Sequence, residues 1–464
     1  MTRTVVFVHG WSVRSTDTYG RLPERLAREA AARGLSLDVR HVWLTKYVSF
    51  RDEVTVGDIA RAFEAAVRSE LRDLTSRRQR FACVTHSTGG PVVRAWWQRH
   101  YLGRRRRCPM SHLVMLAPAN FGSALAQLGK GRLVRIKTWF QGVEPGRGVL
   151  DWLELGSPES WALNEAWIES PQNTIEAARV FPFVLTGQGI DRRLYDHVNA
   201  YTGEPGSDGV VRSAAANLNA TIVRLRQADT SRLEVARIRA APATAFKVLV
   251  DRAHSGRARG IMQSVTEAGE PNPAVDALLR CLTVTSARSY DALRAAFADE
   301  NDAEPGLQRH SMLVFRVADA EGRTVGRFDL KLTAAPANRP SAPASPDRLP
   351  RGFFEDRQQN RRHPGTLTYY LNTDVMMQAS KLGLRIEPHL DRGFVHFVTA
   401  ALDASPDVLK TVVRPNETTL VDVVMRRVVR EGLVRLEPLS ERSNRDFTNQ
   451  AAGDPLPDEA LRQT

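Results

Sequence analysis

The chain has 464 residues, which is too many for one ordinary domain and predicts a large domain with a second, smaller one. Its 42% hydrophobic and 25% charged residues are typical of a globular protein and exclude fibrous and disordered classes. The formal net charge of +13 favours contact with anionic surfaces. The densest basic run, Arg104 to Arg107, is nevertheless more typical of a solvated loop than of a phosphate-binding patch.

Targeting and metal-binding signals are absent from the sequence. Cys83, Cys108 and Cys281 lack the even number and paired spacing of a disulfide framework or a zinc site. No signal peptide is readable, and no uncharged apolar run approaches the length of a membrane span. We expect a cytoplasmic protein, or one exported without a signal peptide, that contacts membranes only at their surface. We expect no metal ion, because no carboxylate cluster has calcium-loop spacing, and we expect no cofactor.

From residue 1 to about 265, apolar strand-like runs alternate with helical patterns. This order predicts a largely parallel sheet covered by helices on both faces. Leu22 and Leu26 share a face of the first helix, and Ile59, Phe63 and Val67 recur at helical spacing in the second. The predicted strands are residues 4–8, 35–43, 81–85, 112–116, 180–186 and 245–250.

Beyond about residue 275 the segments become short and β-rich. Residues 311–317 and 327–332 flank a turn-forming run at 319–322, which predicts a hairpin. Residues 334–350 are rich in Pro, Ala and Ser and indicate an exposed loop, after which 366–371, 384–386 and 394–398 again read as extended. We predict a first domain over 1–268, a β-rich accessory domain over 269–440 and a flexible tail over 441–464.

A serine follows the third predicted strand on a strand-turn-helix. Such a tight turn lifts Ser87 out of the sheet edge and requires small neighbours two residues away on each side. Gly89 meets this requirement, whereas Thr85 departs from it. The first strand ends in His9, Gly10 and Trp11, where a backbone N–H can serve a developing oxyanion.

In this interpretation the second oxyanion donor is the N–H of Thr88, and Gly10 allows close approach of the chain. His9, Gly10 and His86 are then candidate substrate-binding residues. The alternative is a strand that ends in His-Gly and a serine in an ordinary turn.

Three motifs resemble those of α/β-hydrolase lipases. They are residues 7–11 (Phe-Val-His-Gly-Trp), 85–90 (Thr-His-Ser-Thr-Gly-Gly) and 116–123 (Leu-Ala-Pro-Ala-Asn-Phe-Gly-Ser). The likeness covers roughly the first 265 residues and is greatest to bacterial lipases and GPI-inositol-deacylase-like esterases. It implies an α/β-hydrolase fold of the α/β class, with a mostly parallel sheet and a helical cap, beside the smaller β-rich C-terminal domain.

The resemblance implies that the acid and the histidine follow Ser87 in that order, each after a later strand. Asp208 is the candidate acid because Ser207-Asp208-Gly209-Val210-Val211 is similar to the family's acid loop, although an Asp-Gly turn is the alternative. Asp191 and Asp196 are runners-up.

His254 lies on a short loop after the last strand of the first domain and is the candidate base, with a surface or packing histidine as the alternative. His310 lies in the β-rich part, outside the region of the resemblance.

A cap or lid is expected over about residues 120–179. Its aromatic residues, with Trp139 and Phe140 as candidate substrate contacts, suggest an apolar acyl site. The alternative is a helical cap with a buried aromatic core. Gly142, Gly146 and Gly148 are candidates for flexibility in opening.

The predicted function is serine hydrolysis of carboxylic esters in a lipid-like substrate, as a lipase or phospholipase working through an acyl-enzyme. A toxin effector is one form of it. A cytosolic esterase of soluble acyl compounds is the alternative, and a non-catalytic interaction protein on a hydrolase scaffold is a further one. The sequence has no nucleic-acid-binding motif, so nucleic acid is not expected as a partner. Lipid or acyl ester is the expected ligand, with peripheral membrane contact possible on charge grounds.

Overall fold

The fold was analysed in a computed structural model of the chain. It describes residues 2–9, 19–44, 53–128, 146–190, 203–228, 231–336, 345–389, 395–402 and 411–429. The predicted tail over 441–464 and residues 337–344 of the predicted loop over 334–350 lie outside these ranges.

The first sheet contains the six strands predicted from the apolar runs. All its strands are parallel, in the order β2-β1-β3-β4-β5-β8. Along β1, Val6 and Val8 face one hydrophobic core while Val5 and Phe7 face another, which is why this strand is a continuous apolar run. The strands are β1 (Thr2–His9), β2 (Ser36–Trp43), β3 (Phe81–His86), β4 (Met110–Leu116), β5 (Phe181–Gly187) and β8 (Ala245–Leu249).

Helices cover both faces of this sheet, as the fold prediction requires. One face packs against α1 (Leu22–Ala32), α9 (Pro273–Thr283) and α10 (Ala287–Asp302). The other packs against α2 (Val56–Glu70) and α4 (Gly89–His100). Thr55 precedes α2 and forms a capping box, in which its hydroxyl accepts the Asp58 backbone N–H and the Asp58 carboxylate accepts the Thr55 backbone N–H. Three short helices are α3 (Arg72–Ser76), α7 (Ile175–Ala178) and α8 (Ser213–Ala216).

The cap is helical. It contains α5 (Arg147–Leu153) and α6 (Pro158–Glu169), and Trp152, Trp161 and Trp167 are all buried in the core on that side of the sheet. These three tryptophans therefore form a packed interior. This agrees with the alternative interpretation of the cap, a helical cap with a buried aromatic core.

A second six-stranded sheet lies beyond the cap, in the order β11-β12-β9-β16-β6-β7. Its central strand β9 is buried on both faces: Met312 and Val314 join the cap core, while Leu313, Phe315 and Val317 join a third core. The strands are β6 (Ala220–Gln227), β7 (Leu233–Ala240), β9 (His310–Asp319), β11 (Phe354–Gln359), β12 (Thr366–Asn372) and β16 (Thr418–Met425).

The third core separates this sheet from a smaller one of order β10-β13-β15. Two further strands, β14 and β17, pair with each other. The short helix α11 (Thr373–Met376) follows β12. The strands are β10 (Phe328–Pro336), β13 (Ala379–Pro388), β14 (Val395–Phe397), β15 (Ala400–Leu402) and β17 (Arg427–Val429).

The predicted hairpin over 311–317 and 327–332 is wrong. The turn itself forms, and Oδ1 of Asp319 accepts the N–H groups of Glu321 and Arg323. The strands then diverge, because β9 pairs with β12 and β16 while β10 pairs with β13 in the other sheet. A strand that is apolar on both faces belongs in the centre of a sheet, and both edges of β9 are therefore occupied.

The predicted boundary at residue 268 does not divide the chain between the two large sheets. Strands β6 and β7 precede it yet join the second sheet through β16. Helices α9 and α10 follow it yet pack on the first sheet, where the Tyr290 hydroxyl donates to the Pro182 carbonyl at 2.6 Å. The accessory sheets are thus built into the larger domain. Within the part of the chain that the structure describes, no helix is long and apolar enough to cross a membrane.

Candidate active site

Ser87 lies on the turn between β3 and α4, with a backbone φ of +53°. Residues other than glycine adopt this left-handed conformation rarely, at a cost of order 1–3 kcal/mol. Such strain is typical of a nucleophile elbow, where the turn presents the serine hydroxyl at the sheet edge. The Ser87 N–H donates to the Leu116 carbonyl at 3.0 Å, which fastens the turn to the end of β4.

Thr85, which departs from the small-residue pattern, lies directly against Gly89 in the turn. Thr85 is completely buried at the end of β3. A Cβ atom on Gly89 would lie 3.2 Å from the Cβ atom of Thr85, closer than ordinary van der Waals contact. The turn therefore accommodates threonine at one place because glycine occupies the other.

Ser87, His254 and Asp208 form one hydrogen-bonded chain. Nε2 of His254 lies 3.0 Å from Oγ of Ser87, and Nδ1 of His254 lies 2.9 Å from Oδ2 of Asp208. All three side chains are buried. When the imidazole carries its proton on Nδ1 and donates a hydrogen bond from there to the carboxylate, Nε2 is free to accept the serine proton. This geometry can activate a serine hydroxyl for attack on an ester carbonyl.

Asp208 is held by its own loop. Oδ1 accepts the backbone N–H groups of Val210 at 3.0 Å and Val211 at 2.7 Å, so the other oxygen is oriented toward His254. The Asp208 carbonyl accepts the His254 N–H at 2.9 Å, which joins the two loops directly. The alternative candidates Asp191 and Asp196 lie outside the described residues.

The loop that carries His254 follows β8 and packs tightly on the end of β5. A Cβ atom on Gly187 would fall 1.9 Å from the Arg252 carbonyl oxygen, so only glycine permits this approach. His310, by contrast, lies at the start of β9, where its ring stacks on Tyr370 at 5.2 Å and its Nε2 lies 3.3 Å from Glu355.

A buried ion pair ties the Asp208 loop to the second sheet. Arg212 is 2% exposed and forms two hydrogen bonds with Glu204, at 2.8 and 2.6 Å. Its guanidinium also pairs with Asp356 on β11 and lies 4.2 Å from the ring centroid of Tyr370 on β12. The Tyr370 hydroxyl donates to the Pro205 carbonyl at 2.8 Å. Residues from the accessory sheet therefore brace the segment that presents Asp208.

Asp356→Asn is expected to lower the free energy of unfolding by about 1–3 kcal/mol, because a buried guanidinium loses a charged partner. We also expect kcat to fall while KM changes little, since the loop that orients His254 loses its brace. Urea unfolding and steady-state ester hydrolysis measure the two effects. Asp329→Asn is the matched control: its carboxylate is 54% exposed on β10, and its removal should change stability by less than about 0.5 kcal/mol. Equal effects of the two variants would contradict the brace.

His86 contacts His254, the candidate base. Its ring lies 4.6 Å from the ring of His254, and its Nε2 lies 3.0 Å from the His254 carbonyl oxygen, to which it donates when protonated there. Loss of hydration lowers the pKa of His86 well below its usual range, and the neighbouring His254 lowers it further. A neutral His86 fits this place, because a second cation would oppose the protonation of His254 during turnover.

We expect His86→Leu to lower kcat about tenfold with little change in KM, because the His254 carbonyl loses its donor at a cost of about 1–3 kcal/mol. His86→Gln retains an N–H donor and should recover part of the loss. The lowered pKa also means that the folded protein loses stability as the pH falls below about 6.5, where only the unfolded chain binds the proton.

The His86→Gln variant should lose less stability than wild type between pH 7 and pH 5. Steady-state kinetics and urea unfolding at both pH values test this. Identical kcat values for the Leu and Gln variants, with unfolding that depends on pH as in wild type, would exclude the assigned contact.

The candidate oxyanion site is described in part. The Thr88 N–H, at the start of α4, has no acceptor among the described residues, which leaves it available to a substrate oxygen. Gly10, Trp11, Trp139 and Phe140 lie outside those residues, and His9 is described only as the last backbone position of β1. The roles predicted for them stay predictions. Among the described residues, no group of His, Cys, Asp and Glu side chains could hold a metal ion.

The sequence analysis did not identify Arg212 and Asp356, which support the candidate site. Arg212 follows Asp208 by four positions and carries no catalytic signature, and Asp356 lies 144 residues further along the chain. An arginine flanked by Val211 and Ser213 gives no local sign that it will be buried. Only the pairing of β11 with β12 brings its partner into range.

Two solved structures of a relative match nearly the whole chain. Phospholipase PlaB from Legionella pneumophila is 40% identical, with a TM-score of 0.85, and the match covers 98% of this chain and 100% of that one. The same phospholipase in complex with thio-NAD is 39% identical, with a TM-score of 0.83, over 96% and 97% of the two chains. Bacillus licheniformis lipase BlEst2 is 17% identical with a TM-score of 0.34, too distant to support an argument. No protein-family model and no curated protein matches the chain.

The fold and the match to this phospholipase define a carboxylic ester hydrolase of the α/β-hydrolase lipase and esterase superfamily. The predicted class of enzyme and the predicted fold are thereby confirmed. Within that superfamily, the chain belongs to the family of Legionella pneumophila phospholipase PlaB.

Proposed function

We propose that this protein hydrolyses the carboxylic ester bonds of phospholipids, with Ser87 as nucleophile, His254 as general base and Asp208 as the acid that orients it. The observation that carries the proposal is the hydrogen-bonded chain of 3.0 and 2.9 Å through His254. The relationship to a phospholipase over nearly the full length of both chains supports the choice of substrate.

In the proposed reaction, Oγ of Ser87 attacks the ester carbonyl carbon while Nε2 of His254 takes the hydroxyl proton. The N–H groups of Thr88 and Trp11 stabilise the oxyanion, and loss of one such donor costs about 3–4 kcal/mol of barrier. The alcohol, a lysophospholipid, leaves with the proton from His254. Water then attacks the acyl-enzyme with His254 again as base, and the fatty acid is released with Ser87 regenerated.

Fatty-acid release from three substrates tests the lipid class: anionic phospholipid vesicles, a triacylglycerol emulsion and a water-soluble p-nitrophenyl ester. We expect phospholipid to be hydrolysed with at least tenfold higher kcat/KM than triacylglycerol, with the Ser87→Ala variant as the blank. Hydrolysis of the soluble ester without hydrolysis of vesicles would support the alternative, a cytosolic esterase of soluble acyl compounds. The net charge of +13 suits contact with an anionic bilayer surface.

A further inference from the structure

A cluster of arginines lies at the edge of the first sheet opposite Ser87. Helix α4 starts beside Ser87 and runs back along the sheet for 12 residues, about 18 Å. The loop after it carries Arg104, Arg105 and Arg107, and Arg179 precedes the adjacent strand β5. Because β3, β4 and β5 are parallel neighbours, both segments meet at the amino ends of these strands.

The two segments line a cavity of about 510 Å³, within the size range of small-molecule sites. Among the described residues that line this cavity there are five arginines and no acidic side chain. Arg106 pairs with Glu64 at 3.0 Å and lies over the ring of Tyr101 at 5.1 Å. The remaining four have no carboxylate partner among the described residues. They are Arg104, Arg105, Arg107 and Arg179, and all four are exposed.

One of these arginines is held in a strained conformation. Arg179 has φ of +54°, a region that usually selects glycine at a helix end. The guanidinium of Arg80 donates to the Arg179 carbonyl and, at 2.5 Å, to the Met110 carbonyl. Burial lowers the pKa of Arg80, and the nearby Arg107 and Arg179 cations lower it further. Like charges are therefore gathered here at an energetic cost that an anion would remove.

We propose that this cavity binds a small soluble anion that carries two or more phosphate groups. Guanidinium groups bind phosphate oxygens through paired N–H donors, and four of them on two facing segments can engage more than one phosphate. A bilayer that touched this edge would lie about 18 Å from Ser87, measured along α4, which favours a soluble ligand over a lipid headgroup. The site is separate from the proposed lipid chemistry and does not depend on it.

Calorimetric titration with inorganic tripolyphosphate tests the site. We expect the double variant Arg104→Gln/Arg105→Gln to bind at least tenfold more weakly than wild type. Arg28→Gln/Arg288→Gln removes the same charge from exposed positions on α1 and α10, on the other face of the sheet, and should change affinity less than twofold. Absence of binding to wild type, or equal loss in both double variants, would overturn the proposal.

Arg179→Gly gives a second variant whose folding is not at risk, because glycine relieves the positive φ while removing the guanidinium. It should weaken tripolyphosphate binding and leave the unfolding temperature unchanged or higher; unchanged binding would count against the cavity. A second experiment measures flotation of the protein with phosphatidylglycerol vesicles. In it, the Arg104→Gln/Arg105→Gln variant should float as wild type does. Loss of flotation without tripolyphosphate binding in wild type would assign the arginines to lipid headgroups instead. Ester hydrolysis, measured in parallel, reports on Ser87 independently.

Discussion

Replacing Ser87 with alanine is expected to lower kcat/KM for ester hydrolysis by about 10⁴- to 10⁶-fold, because the nucleophile is lost while the fold remains. Alanine tolerates the left-handed turn no worse than serine does, and the Ser87 N–H bond to the Leu116 carbonyl is a backbone contact that the change preserves. Hydrolysis of a short p-nitrophenyl ester and labelling with a fluorophosphonate probe measure the effect.

Ser111→Ala is the matched control for this variant. Its hydroxyl donates to the Phe81 carbonyl at 3.0 Å at the start of β4, the far end of the same pair of strands from Ser87. We expect normal labelling and turnover for that variant. Retained turnover in Ser87→Ala would refute the assignment of the nucleophile.

Asp208→Asn is expected to lower kcat about 10⁴-fold with the fold intact. The asparagine oxygen can keep the N–H bonds from Val210 and Val211, which turns the amide nitrogen toward Nδ1 of His254. An N–H donor at that point selects the tautomer with the proton on Nε2, and this imidazole cannot accept the proton of Ser87. Steady-state kinetics on the soluble ester measures the loss.

Asp319→Asn is the control, because Oδ1 of Asp319 accepts two backbone N–H groups in the same kind of turn, at 3.0 and 2.8 Å. No imidazole from the described part of the chain bonds to its other oxygen. Turnover in this variant should match wild type. Activity above a tenth of wild type in Asp208→Asn would remove Asp208 from the proposed role.

The accessory sheets support the loop that carries Asp208 through direct contacts. Asp356 and Tyr370 hold Arg212, and Asn360 donates to the Leu155 carbonyl at 3.2 Å beneath the cap. These contacts brace both the cap and the loop that carries the candidate acid. Removing this half would therefore expose the cap core and release the loop at the same time.

Much of the site could be predicted because its signals are local. The strand-turn-helix around Ser87, the Asp-Gly turn at Asp208 and the loop after β8 at His254 each span a few residues whose backbone demands are readable in the sequence. The inner strands of the first sheet, β1, β3, β4 and β5, were readable for the same reason, since burial on both faces makes them continuous apolar runs.

Tertiary structure alone decided the rest. The sequence predicted β9 and β10 as strands, but it could not say that they belong to different sheets, since the choice of partner is made by long-range hydrogen bonding and packing. The exchange of β6 and β7 with α9 and α10 across residue 268, and the burial of Arg212 against Asp356, likewise depend on contacts between distant parts of the chain. Local propensity determines what a segment can become, whereas the free energy of burying its faces against other segments determines where it lies.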